Sequence, residues 1–245
     1  TVIPNTVTSI ADAAFAGHVN LTAIAIPSNI THIELGAFIY CLNLISIVVD
    51  EKNQVYDSRN NCNAIIETAT NTLIEGCNNT IIPNTITSIG ESAFAGRQTL
   101  TSISIPNGVV SIGASAFYFC RALTSVSIPS SVQNIGNSAF FMCTALTSVT
   151  CEATTPPLLE WGVFNYIPFA EATLYVPAES IELYKAAEQW KDFGTILPLD
   201  QAPSSVENVT SLDNNKEPQV KTIRNGQLLI LRDGKTYNAQ GAVII

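Results

Sequence analysis

Six cysteines, two histidines and twenty acidic side chains are the groups in this 245-residue chain that could attack a substrate, hold a metal or move a proton. Three of the cysteines sit in near-identical phrases, "AFIYCLNLISI" (37–47), "AFYFCRALTSV" (116–126) and "AFFMCTALTSV" (139–149). A metal site needs ligands that converge on one point. Cys41, Cys120 and Cys143 instead occupy one position of a recurring unit, a position held by His18 and Arg97 in two further copies. Free cysteine is among the most buried residue types, so these three are expected to be core filler. His18 and His32 stand at different offsets of adjacent copies, and neither G-x-S-x-G nor H-E-x-x-H occurs, which leaves nucleophilic and zinc-hydrolase chemistry without its usual strings. Asp57, followed by Ser58 and Arg59, is expected to be a solvated turn. Asn20, Asn29, Asn78 and Asn208 match the glycosylation pattern, as chance allows in a chain rich in Asn and Thr.

The unit that carries these residues repeats every 23 positions. Ile-Pro recurs at Ile3-Pro4, Ile26-Pro27, Ile82-Pro83, Ile105-Pro106 and Ile128-Pro129, with 33 extra residues between the second and third copies. Val7, Ile30, Ile86, Val109 and Val132 keep register behind them, then Ile10, Ile33, Ile89, Ile112 and Ile135. The Ala-Phe pairs, Leu21, Leu44, Leu100, Leu123 and Leu146, and last Ile24, Ile47, Ile103, Val126 and Val149 complete the pattern. A fixed period in the twenties means one solenoid coil per repeat. "LTSISIP" alternates like a strand with one buried face, and proline, which donates no ladder hydrogen bond, ends it. "IGxSAFxxC" is expected to be a tight turn or short helix. Stacking should therefore give a parallel sheet with ladders of Phe, Leu and Ile running through the coils.

The pattern I-P-x-x-[VI]-x-x-I-x-x-x-A-F-x-x-C-x-x-L-x-x-[IV] resembles the BspA-type leucine-rich repeats of surface proteins of Bacteroidales and some parasites, over residues 1–198. The resemblance implies an α/β-type repeat solenoid with turn or short-helix backs. It also implies export, attachment to the cell surface or secretion, and an adhesive role, since some members bind host matrix proteins such as fibronectin and fibrinogen.

Residues 49–81 depart from the template. Mirror pairing of "AIIE" and "TLIE" about Ala69-Thr70 makes a β-hairpin that sets Ile66 against Leu73 and Cys62 against Cys77, two thiols that could close a disulfide in an exported protein. From 151 to 198 the template decays into an α/β cap. Cys151 takes the Ile slot, a strand runs near Leu174–Val176 and a helix near 178–189, with Glu179 and Glu182 at its positive end. Trp161, Phe164, Tyr184, Trp190 and Phe193 are expected to cover the solenoid end. Residues 199–219 form a linker. Residues 220–245 form a small all-β tail with turns at Asn225-Gly226 and Asp233-Gly234, similar to the C-terminal sorting or anchoring domains of exported Bacteroidetes proteins. The chain opens at Thr1, partway into a repeat, and is expected to be a mature or truncated form.

Hydrophobic residues make up 47% of the chain and charged ones 13%, a composition incompatible with disorder. No apolar run reaches the length of a membrane span, so no transmembrane segment is expected. The net charge of −9 disfavours nucleic acid and acidic membrane surfaces as partners. What remains is surface. Ala23, Ala25, Ser46, Val48, Ser102, Ser104, Ser125, Ser127, Ser148 and Thr150 should face away from the core as a nearly uncharged strip. Between Ile82 and Thr150 the fixed charges are Glu91, Arg97 and Arg121. The expectation is a non-catalytic module, without cofactor, that takes a protein or glycan ligand across this face. The alternatives are a polysaccharide-acting enzyme on the same scaffold, which would need stacked carboxylates, and a spacer displaying other domains.

Overall fold

The β-branched, small-polar alternation of each repeat tail becomes a short parallel strand in the computed structural model, which describes residues 2–203, 220–224, 227–232 and 235–238. The chain divides into two units, 1–200 and 201–245. In the first, coils 1 to 5 begin at Ile3, Ile26, Ile82, Ile105 and Ile128, and coil 6 at Cys151. Strands Ala23–Ile26 and Ser46–Val49 pair in coils 1 and 2. Ser102–Ser104, Ser125–Ile128, Ser148–Cys151, Thr173–Val176 and Thr195–Pro198 form a parallel five-stranded sheet that runs on into the cap. The register is one coil per step, so Val126 lies beside Ile103 and Val149.

Each regular coil also carries a second, two-residue strand that periodicity did not single out. Ser88–Ile89, Ser111–Ile112, Asn134–Ile135 and Leu158–Leu159 pair in parallel, as do Ser9–Ile10 and His32–Ile33. The third side of the coil is turns, with no helix in coils 1 to 5 apart from a 3-10 turn at Arg59–Asn61 in the insertion. In coil 4, Ser115 and Phe119 are left-handed (φ 53° and 59°). The N–H groups of Ser115, Phe117 and Phe119 then all donate along the axis, to Asn137, Ala139 and Phe141.

The Phe ladder forms as two columns rather than one. Phe15 stacks on Phe38 at 5.1 Å, and Phe94, Phe117, Phe140 and Phe164 stack at 5.0–5.5 Å. The insertion interrupts it. Strands Ala64–Glu67 and Thr72–Gly76 make the expected hairpin, and Thr72–Gly76 pairs in parallel with Ser88–Ile89 of coil 3. Gly76 lies so close to Phe94 that a Cβ would sit 2.2 Å from its ring. The core is correspondingly split into a cluster of coils 1 and 2 and a larger cluster from coil 3 to the cap.

The hairpin register corrects one expectation. Ile66 does face Leu73, but a bulge between Ile65 and Ile66 shifts the rest, so that Ala64 faces Gly76 and Ile65 faces Glu75. Cys62 and Cys77 are therefore not opposed. Both are free and buried, Cys62 in the larger core cluster and Cys77 in the smaller; the disulfide is not formed.

The expected cap helix is shorter than 178–189. It is a 3-10 turn at Ala178–Ser180 followed by an α-helix at Ile181–Ala186. Ala187, in extended conformation, ends it, and Gln189, at φ 62°, starts a second 3-10 turn at Trp190–Asp192. Tyr184, Trp190 and Phe193 cover the end as expected. Trp190 and Phe193 meet Phe164 at 5.3 and 5.2 Å, and the Tyr184 hydroxyl and Trp190 indole donate to Ala153 O and Pro157 O. Trp161 does not take part; it is 71% exposed.

In the second unit, Val220–Arg224, Gln227–Arg232 and Lys235–Asn238 form an antiparallel sheet in chain order. Most of the expected linker, Asn208 and the Asn-Gly and Asp-Gly dipeptides lie outside the described residues.

Candidate functional site

The outward strip follows the strand register. Ser102, Ser125 and Ser148 line up with Thr173, and Ser104, Ser127 and Thr150 line up with Tyr175. Ser102 and Ser104 are exposed, while Ser125, Ser127, Ser148 and Thr150 are half-buried. Ser46 belongs to a separate patch with Ala23, Ala25 and Val48, because the strands of coils 1 and 2 form their own sheet. Small side chains on a flat parallel sheet give a smooth face with little to grip.

The turn side is different, and the repeat template hid it. Two unconstrained positions separate the buried Phe from the Cys slot, and the second of them is left-handed in every coil. Coils 1 and 3 place Gly17 and Gly96 there, while coils 2, 4, 5 and 6 place Tyr40, Phe119, Met142 and Tyr166 at φ 56–64°. A bulky residue in this region is strained by about 1 kcal/mol relative to glycine. Tyr40, Phe119 and Tyr166, together with Tyr118 and Phe141, make a continuous aromatic surface. Tyr118 stacks on Phe141 at 5.1 Å, Tyr118 and Phe119 lie 4.6 Å apart, and Phe141 meets Tyr166 edge-on at 4.9 Å. Tyr40 reaches Phe119 at 6.3 Å across coil 3. It can do so because Gly96 has no side chain; a Cβ there would lie 2.3 Å from the Tyr40 ring. Arg121 caps the Phe119 ring at 4.8 Å. The Tyr40 hydroxyl is raised by burial and by Tyr118, with Arg121 opposing. A signal was present in the sequence, since "IY", "YF", "FM" and "NY" vary where the flanking residues do not.

The cysteines are donors as well as filler. The thiols of Cys41, Cys120 and Cys143 donate to the carbonyls of Phe15, Phe94 and Phe117 in the preceding coil, at 3.0–3.2 Å. Arg97, in the same slot, donates to Phe38 O at 3.1 Å and to Gly76 O at 2.9 Å, and its other terminal nitrogen bonds the Glu75 carboxylate. Arg97 is fully buried and sits where the insertion parts the two core clusters. Burial pushes the Glu75 carboxyl up, to about 8, against the pull of Arg97. This buried pair escaped the sequence reading, although Arg97 is the sole charged occupant of the Cys slot and sits in the first coil after the insertion.

The remaining candidates are structural or solvated. Asp57 and Arg59 pair, and Arg59 also bonds Asn71, tying the hairpin end to its base. Asn29 and Asn78 spend their amides on Val7 O and Leu42 O of earlier coils. His32 meets Glu34 on the surface. Among the described residues no three His, Cys, Asp or Glu side chains gather as a metal site, and no helix is long and apolar enough to cross a membrane.

Stacked 23-residue coils, parallel strands in one-coil register and an in-phase core define a leucine-rich-repeat solenoid. The BspA-type leucine-rich repeat model matches residues 1–75 and 72–182 in six copies, and the chain belongs to that family. It is similar to the crystal structure of a leucine-rich cell surface protein from Faecalibacterium prausnitzii, with 26% identity and a TM-score of 0.57 over 80% of this chain and 52% of that one. A leucine-rich repeat protein from Eubacterium ventriosum shares the fold at 21% identity and a TM-score of 0.53, over 80% and 55%. The chain thus spans about half the length of these solved structures. No curated protein sequence matches it.

Proposed function

We propose that the protein is a non-catalytic binding or adhesion module, exported and displayed at or released from the cell surface, that takes a macromolecular ligand on its solenoid side. The carrying observation is the aromatic turn surface, kept at the expense of backbone strain at Tyr40, Phe119 and Tyr166. Strained residues concentrate where function requires them, and an extended solenoid face is the usual recognition surface of repeat proteins. Export is supported by the cell-surface description of the Faecalibacterium protein. A sorting or anchoring role for residues 220–245 is part of the same reading. The test is a solid-phase screen of the full chain against purified matrix proteins and a glycan array, run beside an assay for glycan turnover. Saturable binding without turnover is the expected result; turnover of any glycan, or no binding to either panel, overturns the proposal.

A further inference from the structure

We infer that the aromatic turn surface, rather than the serine strip, is the interaction face, and that it takes an extended polypeptide segment setting a carboxylate among aliphatic or proline side chains. This rests on the binding-module reading above and names the site and partner for it.

Three observations select that partner. Tyr118 and Phe141 lie 14° from parallel, and Phe119 and Phe141 26°. In these two pairs each ring covers part of its neighbour's face, and Arg121 covers part of Phe119 as well, whereas Tyr40 meets Phe119 at 90° and Tyr166 meets Phe141 at 69°. Pyranose rings pack on aromatic faces, and here Tyr166, edge-on to Phe141 and 65% exposed, offers the most accessible one. Ring edges carry the positive end of the aromatic quadrupole, so the edges left uncovered between the partly covered faces favour oxygen acceptors, and a polypeptide supplies a carbonyl oxygen at every residue and a carboxylate at each Asp or Glu. Charge points the same way. Of the three fixed charges between Ile82 and Thr150, Arg97 is buried and Glu91 is acidic, which leaves Arg121 as the exposed cation. It stands over Phe119 in the middle of the aromatic surface, placed to meet one carboxylate. Finally, Tyr, Phe, Met and Arg are the residues enriched in protein interfaces, where Tyr and Arg carry much of the binding energy.

The left-handed backbone supplies a test that separates binding from stability. Replacing Tyr40, Phe119 and Tyr166 by glycine, the residue that coils 1 and 3 already use, removes the rings and relieves strain at the same positions. A phage library of random dodecamer peptides is panned on the immobilised full chain, and enriched peptides are synthesised and titrated calorimetrically. The expected peptides carry Asp or Glu among aliphatic or proline residues. Their affinity should fall by about tenfold or more in the triple glycine variant and in Arg121→Ala, while the thermal midpoint of both stays close to that of the parent. A strip variant, Ser102→Ala/Ser125→Ala/Ser148→Ala, should bind as the parent does. Peptides lost with the strip variant but not with the glycine variant overturn the site and leave the binding-module reading intact. Glycan binding, or self-association, abolished by the glycine variant overturns the polypeptide as occupant. Failure to enrich any peptide overturns the inference, and the matrix-protein and glycan screen then decides separately whether the binding-module reading survives.

Discussion

Cys120 illustrates how a reactive group becomes inert. Its thiol is enclosed, donates to Phe94 O, and is pushed up to about 12 by burial, with Arg97 opposing. Cys143 is raised well above the ordinary thiol range and Cys62 to about 11, burial leading in both. Because the thiolate is the nucleophile, none of the six buried cysteines should react with a disulfide reagent in the folded chain at pH 8. All six should react after denaturation without reductant, a count that also checks that Cys62 and Cys77 are unbonded. Glu75 gives a pH prediction of definite sign. Its carboxyl is raised from 4.5 to about 8, so between those values the folded chain holds a proton that the unfolded chain has released. This stabilisation is complete below about 4.5 and lost as pH rises through about 8. Glu75→Gln should flatten the decline of the thermal midpoint across that window, measured by calorimetry; an unchanged slope would show that Arg97 keeps the carboxylate ionised.

Among the elements, the hairpin shows where a sequence pattern stops being sufficient. Its strands and the Ile66–Leu73 pair follow from β-propensity and the turn, because local alternation sets them. The bulge does not follow, since it answers to tertiary demands: Thr72–Gly76 must lie parallel to coil 3 while Glu75 meets Arg97. Likewise the repeat period made the long strands and buried ladders legible. The two-residue strands were missed because a single outward residue carries no alternation. The aromatic surface was missed because averaging over copies favours positions that are constant, and Gly17, Tyr40 and Phe119 share a backbone conformation rather than a chemistry. Gly76 tests how tightly the insertion is seated. Gly76→Ala would place a methyl group against Phe94, whose ring is held in the stack by Phe117. Overpacking of this kind costs about 1–3 kcal/mol, to be read as a lower denaturation midpoint with unchanged slope.

For the whole solenoid, stability is a sum of coil and interface terms, so a weak interface divides the molecule. The weak interface is the insertion. Both parallel sheets break there, the Phe columns separate, and the two core clusters are parted. The buried Arg97 joins what the apolar core does not, holding Phe38 O of coil 2, Gly76 O and Glu75 at once. The cluster from coil 3 onward is the larger and is closed by the cap aromatics, whereas the cluster of coils 1 and 2 is the smaller. Opening should therefore begin in coils 1 and 2 and halt at the seam. Hydrogen exchange should show the amides of Phe15, Gly17 and Glu34 exchanging ahead of those of Phe117, Phe119 and Gly136, all of them hydrogen-bonded between coils. Arg97→Met leaves Glu75, Phe38 O and Gly76 O without their donor, at a cost of about 1–3 kcal/mol for each buried group left unsatisfied, and should widen that difference by releasing coils 1 and 2 first. Adding Glu75→Leu removes the stranded carboxyl, so the double variant should lose less than the sum of the single ones. Recovery should remain partial, because Phe38 O and Gly76 O still lack their donor. Uniform exchange across both clusters, or additive losses in the cycle, would mean that the seam is no weaker than any other coil interface.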